Sequence, residues 1–256
     1  MLLAGKHGLV LGVSSREGVG FHVAEALRAQ GAEVAVTARP QRAGFLSELA
    51  ESGYLALELE ALDEASMERA VARAAERFER LDFIVHTLVH VPDGALEHPV
   101  THISTRELAE AMDVGVRSLL AVTRYARPLL ERSSSPRIVA LLSGGADFAM
   151  PSYHLVGIVK AALGAAVRYL AAELGPSKIL CNAVNFSMLE TAAALRVIGG
   201  ERTRQTRQHL AKRSMTQTPL GYSDVTNAVA YLVSPLCSNL TGEALVVDGG
   251  FSRSYF

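Results

Sequence analysis

Short runs of aliphatic and β-branched residues alternate with longer stretches whose apolar positions recur every three to four residues. HGLVLGV (7–13) is a continuous apolar run, as expected of a strand buried on both faces. GVGFHVAEALRAQG (18–31) is amphipathic at helical spacing, with Gly31 just past its end. The same alternation predicts strands over 32–38, 54–60, 82–89, 137–143, 178–186 and 243–249. Helices are predicted over 42–53, 64–81, 106–132, 151–174 and 223–234. A loop is expected over 91–104, and an irregular, partly helical insertion over about 187–218. Seven strands alternating with helices predict an α/β fold: a Rossmann-type doubly wound parallel seven-stranded sheet, one domain over 1–256. Ligands bind such sheets outside the carboxyl ends of the strands, where every motif below falls.

The length of 256 residues suits one such domain, and 49% hydrophobic residues allow a large core. A net charge of -1 argues against a nucleic-acid binder, which would carry a basic excess. Cys181 and Cys237 lie in apolar surroundings and read as buried free thiols, which fits a cytoplasmic address. MLLAGKHGLVLG at the start does not read as a signal peptide. No uninterrupted apolar stretch is long enough for a bilayer, so no membrane association is expected. No internal repeat or low-complexity tract is evident, and ERSSSP (131–136) reads as a turn.

Between the first strand and first helix stands GVSSREGVG, with Gly12, Gly18 and Gly20. Glycines there permit a tight turn and let backbone N–H groups approach a pyrophosphate at the helix N-terminus. The spacing, G-x5-G-x-G, is longer than the common fingerprint, and a ligand-free turn is the alternative. At the end of the second strand, TARPQR carries Arg39 and Arg42 and no acid. An acid there would bind a ribose 2′-hydroxyl, whereas a guanidinium suits a 2′-phosphate. The expected cofactor is therefore NADPH rather than NADH, the alternative being two solvated arginines.

MPSYHLVGIVKAAL (150–163) holds Tyr153 and Lys160, two helical turns apart. Two turns return nearly to one face, so both side chains can point into one cleft. The helix also carries Ala161, Ala162, Gly164, Ala165 and Ala166, small residues that let helices of two subunits pack closely. A half-buried tyrosine and a surface lysine remain the alternative on this helix alone.

With the glycine turn, the Y-x6-K pair and NLTGEALVVDGGFS (239–252) in order, the whole chain resembles the short-chain dehydrogenase/reductase family. More closely it resembles the divergent enoyl-acyl-carrier-protein reductase branch. The G-x5-G-x-G turn, the Y-x6-K spacing and Asp113, where the larger branch usually has asparagine, carry that likeness. The resemblance implies that Gly12, Ser14, Gly18, Val19 and Gly20 hold the pyrophosphate, and that Glu60 and Ala61 meet the adenine. It implies that Thr87, Leu88 and Val89 border the adenine ribose and that Leu189 and Thr191 contact the carboxamide. Lys160 would hold the nicotinamide ribose and Tyr153 the substrate's thioester oxygen, where charge builds as hydride arrives. A homotetramer is expected.

Three positions depart from the branch. Ser143 stands where many members carry a second tyrosine; in the larger branch a serine there orients a ketone. Val89 replaces the usual glycine after the fourth strand, and Ser187 and Met188 replace a Pro-Gly pair after the sixth. These changes point to an altered pocket. The insertion is basic, with Arg196, Arg202, Arg204, Arg207, Lys212 and Arg213 against Glu201; it could attract an acidic carrier protein or coenzyme A. A solvated charged helix is the alternative. The histidines do not read as a metal set: His86 and His90 flank the fourth strand without the helical spacing or acidic partners a zinc site needs, so no metal is expected, and His86 reads as a core residue.

The leading expectation is reduction of an α,β-unsaturated acyl thioester, on a carrier protein or coenzyme A, in fatty-acid or secondary-metabolite biosynthesis. Carbonyl reduction through Tyr153 and Ser143 is the second reading, and a catalytically silent nucleotide-binding homologue the third.

Overall fold

The computed structural model describes residues 1–254. Strands β1 (His7–Leu11), β2 (Glu33–Ala38), β3 (Leu55–Glu58), β4 (Phe83–His86), β5 (Arg137–Ser143), β6 (Leu180–Phe186) and β7 (Ala244–Val247) form one sheet in the order β3-β2-β1-β4-β5-β6-β7. Every pairing is parallel. The direction of winding reverses between β1 and β4, which opens a crevice at their carboxyl ends.

Helices cover both faces. Helices α1 (Val19–Ala29), α2 (Ala43–Glu51) and α9 (Tyr222–Val233) lie on one; α3 (Glu64–Arg77), α4 (Thr105–Met112), α5 (Ser118–Leu130) and α6 (His154–Leu174) lie on the other. Alternate residues of each strand divide between the two cores. Leu9 and Leu11 join one, and Val10 joins the other, all with no exposed surface. That two-sided burial is why the strands read as continuous apolar runs. Phe83, fully buried in β4, is among the largest core side chains, and its truncation to Ala costs about 3–5 kcal/mol.

The structure redraws several predicted elements. β1 stops at Leu11 because Gly12 takes φ +92°, a conformation that breaks the ladder. The third helix ends at Arg77, where Phe78 turns extended. The expected helix over 106–132 is interrupted: Asp113–Arg117 forms a π-helical segment between α4 and α5. The insertion is more regular than expected, with α7 (Ala192–Ile198) and α8 (Gly200–Arg213). α6 and the turn after it (His154–Ser177) are long and apolar enough to cross a membrane by length and composition alone, one 18-residue window having mean hydropathy 1.6, but Lys160, Arg168 and Glu173 interrupt the run, as expected from the sequence. Leu155, Val159, Leu163 and Val167 bury one stripe of α6 in the sheet-facing core.

Candidate active site

The glycine turn leaves β1 beside the end of β4. A Cβ on Gly12 would lie 3.0 Å from Thr87 Oγ1 and 2.9 Å from Leu88 Cδ2, and φ +92° disfavours any side chain there. Thr87 donates to the Leu11 carbonyl at 2.7 Å and so pins the β4 loop to the turn. Gly18 sits at the N-cap of α1 with no side-chain cap, and the first turn has no acid. Ser14, Val19 and Gly20 flank this end. Its free N–H groups and positive dipole end fit an anionic group such as a pyrophosphate. Glu60 follows β3 and its carboxylate accepts from the backbone N–H of Leu62 at 3.4 Å. Ala61 is buried, and its carbonyl accepts from Arg117 Nη2 at 3.2 Å. Val89 is 37% exposed at the crevice.

Tyr153 precedes α6 instead of lying in its first turn: it is the N-cap, with φ -134° and ψ 7°. Its hydroxyl donates to Ser143 Oγ at 3.1 Å. Lys160 is buried, and its Nζ donates to the Leu141 carbonyl at 2.7 Å. The two side chains thus reach β5 at positions two residues apart. The approach needs two glycines: a Cβ on Gly157 would lie 2.7 Å from the Gly145 carbonyl oxygen, and one on Gly145 would lie 2.6 Å from the Tyr153 ring. Burial raises the Tyr153 hydroxyl above its usual value, and the Ser143 hydrogen bond opposes that. Burial pulls Lys160 down to about 8, so it stays largely protonated at neutral pH.

His86 is fully buried at the end of β4. Its Nε2 lies 2.8 Å from Ser118 Oγ, which donates to the Val114 carbonyl of the π segment at 2.6 Å. Burial, with the Lys160 charge adding, holds the imidazole near 3 and therefore neutral. Asp113 pairs with Arg117 at 2.9 Å on its own helix. His90 and His98 pair with Glu110 and Glu107 at 2.7 and 3.0 Å. Among the described residues no cluster of His, Cys, Asp and Glu could hold a metal ion. Cys181 and Cys237 are buried and free.

After β6, Met188 and Leu189 are buried and Thr191 caps α7, accepting from Ala194 N at 3.0 Å. The sequence did not single out Tyr222. Its hydroxyl lies 2.7 Å from the Glu17 carbonyl in the glycine turn and 3.1 Å from the Glu190 carbonyl after β6. Its ring stacks on His22 at 3.7 Å. It therefore joins the two loops that flank a dinucleotide in this architecture. Nothing in the local sequence marks it, since the partners are 205 and 32 residues away. The basic insertion is partly spent on the fold: Arg204 and Arg207 pair with Glu190 at 3.8 and 3.6 Å, and Arg202 donates to Ser152 Oγ at 2.9 Å.

A glycine turn at the carboxyl end of β1, with a buried lysine and a tyrosine held on β5, two strands away in the same sheet, fits a Rossmann-type oxidoreductase. A family model described as enoyl-(acyl carrier protein) reductase matches residues 12–252, and the chain belongs to that family. The enoyl-[acyl-carrier-protein] reductase [NADH] FabI of Enterococcus faecalis is 33% identical, over 98% of both chains. That of Synechocystis is 32% identical, over 97% of both. The crystal structure of the NADH enoyl reductase of Aquifex aeolicus superposes with a TM-score of 0.93 at 28% identity, covering 100% of each chain. That of Anaplasma phagocytophilum, in complex with NAD, gives 0.92 at 29% identity, covering 100% of this chain and 97% of the other.

These relatives overturn the expectation of NADPH. Four curated relatives, those of Synechocystis, Enterococcus faecalis, Haemophilus influenzae and Escherichia coli, are named as NADH enzymes. The physical reason lies in the two arginines. Arg39 and Arg42 bracket a short 3-10 turn beginning at Pro40, and both are exposed. A guanidinium so placed is stable in water without a phosphate, so its presence does not select one.

Proposed function

We propose that the protein reduces the carbon–carbon double bond of a 2-enoyl thioester with NADH. The observation that carries this reading is the anchoring of Tyr153 and Lys160 on β5, two strands from the phosphate cradle in the same sheet. The family match and the names of its relatives support the same chemistry.

The cradle fits a dinucleotide. A Cβ at Gly12 would crowd Thr87 and Leu88, and the uncapped start of α1 offers N–H groups to the pyrophosphate. Gly12, Ser14, Gly18, Val19 and Gly20 would hold that group, Glu60 and Ala61 the adenine, Thr87, Leu88 and Val89 the adenine ribose, and Leu189 and Thr191 the carboxamide. NADH, when bound, supplies the hydride that adds to the β-carbon. The Tyr153 hydroxyl donates to the thioester oxygen, and that bond strengthens as enolate charge develops. The buried Lys160 ammonium holds ribose hydroxyls and adds a positive field in a region of low dielectric. A proton taken up from solvent at the α-carbon neutralises the enolate and completes the reduction.

Finer features follow the same reading. The thioester is carried by an acyl carrier protein or coenzyme A, whose negative charge suits Arg196 and Lys212, exposed in α7 and α8. Ser187 and Met188, in place of a Pro-Gly pair, support a specialised pathway over a housekeeping one. The small residues on α6 support a homotetramer, and the two buried free cysteines suit the reducing cytoplasm.

One observation favours a second reading, carbonyl reduction: the Tyr153–Ser143 hydrogen bond is the pair that would orient a ketone and protonate its oxygen. Isotope tracing separates the two. With NADH deuterated at the transferred position, the first reading places deuterium on the β-carbon of a saturated acyl product. Deuterium on a carbinol carbon would contradict it.

A further inference from the structure

Among the described residues three that are not glycine hold a left-handed backbone: Ser152 at φ 56°, Lys178 at φ 60° and Gln217 at φ 51°. Two of them close turns. Lys178 caps the 3-10 turn behind α6, and the N–H of Gln217 reaches the Ser214 carbonyl at 3.2 Å behind α8. Ser152 differs. It stands directly before Tyr153, the N-cap of α6, where the start of a helix does not call for that region. A side chain in the left-handed region is strained, and the conformation persists only where the surroundings hold it.

What holds Ser152 comes from another element. Arg202, in the first turn of α8, donates from Nη1 to Ser152 Oγ at 2.9 Å. Its neighbours on the helix are spent on acids: Arg204 pairs with Glu190 and Glu201 at 3.8 and 3.6 Å, and Arg207 with Glu190 at 3.6 Å. Among the described residues Arg202 makes no ion pair and gives its guanidinium to the serine. The turn that carries it is seated, since Thr203 has no exposed surface and donates to the Ala194 carbonyl of α7 at 3.2 Å. Met150 and Pro151, before Ser152, and Gln205 and Thr206, past Arg202, line one cavity, so the bond ties together two segments of its wall.

The consequence falls on Tyr153. Its ring has a narrow seat: a Cβ on Gly145 would lie 2.6 Å from it, and its hydroxyl meets Ser143 Oγ at 3.1 Å. A Ser152 that relaxed to extended backbone would rotate the peptide leading into Tyr153 and lift the ring from that seat. We propose that Arg202 is a positioning residue for Tyr153: its hydrogen bond keeps Ser152 left-handed and so keeps the phenol in place. The assignment rests on the role of Tyr153 in the proposed reduction.

The test uses glycine, which holds the left-handed region without help. The substrate is the N-acetylcysteamine thioester of oct-2-enoic acid, a neutral molecule with no carrier for the arginine to attract. With Ser152 present, Arg202→Ala should lower kcat about tenfold and leave KM and the NADH dissociation constant within about twofold. In the Ser152→Gly chain the same change should cost less than about twofold. A rise in KM at constant kcat, no loss in the serine chain, or an equal loss in both chains would overturn the assignment. A second readout needs no turnover. In protein carrying ring-13C tyrosine, the Tyr153 resonance is the one absent from Tyr153→Phe. Arg202→Ala should shift or broaden it in the serine chain and leave it unchanged in the glycine chain. A resonance that stays in place in the serine chain would overturn the proposal whatever the kinetics. If no thioester is reduced while the resonance responds as predicted, the reductase reading fails, but the tie between Arg202 and Tyr153 stands.

Discussion

Tyr153 donates its hydroxyl proton to Ser143 Oγ at 3.1 Å, across ten residues and the turn between β5 and α6. Without substrate the phenol thus rests on a neutral acceptor. A thioester oxygen acquiring negative charge is a stronger acceptor and displaces it. Tyr153→Phe should leave the NADH dissociation constant within about twofold while cutting turnover roughly 10²–10³-fold, the usual cost of one such donor. Fluorescence titration beside steady-state kinetics reads both. Retained turnover would remove Tyr153 from the chemistry.

Ser143 separates the two proposed reactions. If the substrate is an enoyl thioester, Ser143→Ala removes only a resting partner, and kcat should change by less than about fivefold. If it is a ketone, the serine orients the reacting oxygen, and the loss should exceed about 10²-fold.

Two buried basic groups titrate in opposite regions. Lys160 falls from 10.5 to about 8 in the fold, so kcat/KM, which reports the free enzyme, should decline above pH 8 as the ammonium is lost. His86 falls from 6.5 to about 3. Between those values the unfolded chain binds the extra proton, so stability contributed at this site is present above pH 6.5 and is lost as pH falls. Urea unfolding between pH 4 and 7 should show a shallower acid slope in His86→Gln than in the parent. An unchanged slope would mean that His86 is not the buried neutral group described.

Gly157 sets the approach of α6 to the β5 loop. Its added Cβ would meet backbone, not a flexible tip, so Gly157→Ala should destabilise by about 1–3 kcal/mol and displace Tyr153. The kinetic mark is a fall in kcat with NADH binding retained.

Tyr222 ties the glycine turn to the loop after β6. Tyr222→Phe keeps the stack on His22 and removes one hydroxyl, so NADH affinity should fall roughly 3–10-fold with little change in melting temperature. Equal affinity would make the tie incidental.

The elements were legible because two-sided burial writes continuous apolar runs into β1, β4 and β5, and one-sided burial writes a stripe into α3. The glycine turn and the Tyr153–Lys160 pair were legible because each lies within one short segment. What was hidden depends on contacts between distant segments. The Tyr222 clasp, the closeness of Gly145 to Gly157 and the Leu141 carbonyl under Lys160 leave no local pattern. The π-helical segment at Asp113–Arg117 was hidden because helical periodicity continues through it. Arg39 misled because a residue type near a phosphate position does not report whether the phosphate is there.

The most direct measurement is loss of NADH absorbance with a 2-enoyl thioester in one cuvette and the matching 3-ketoacyl thioester in another. Oxidation with the enoyl substrate alone is the predicted result. Oxidation with the keto substrate alone, or none in either while NADH still binds, would contradict the account.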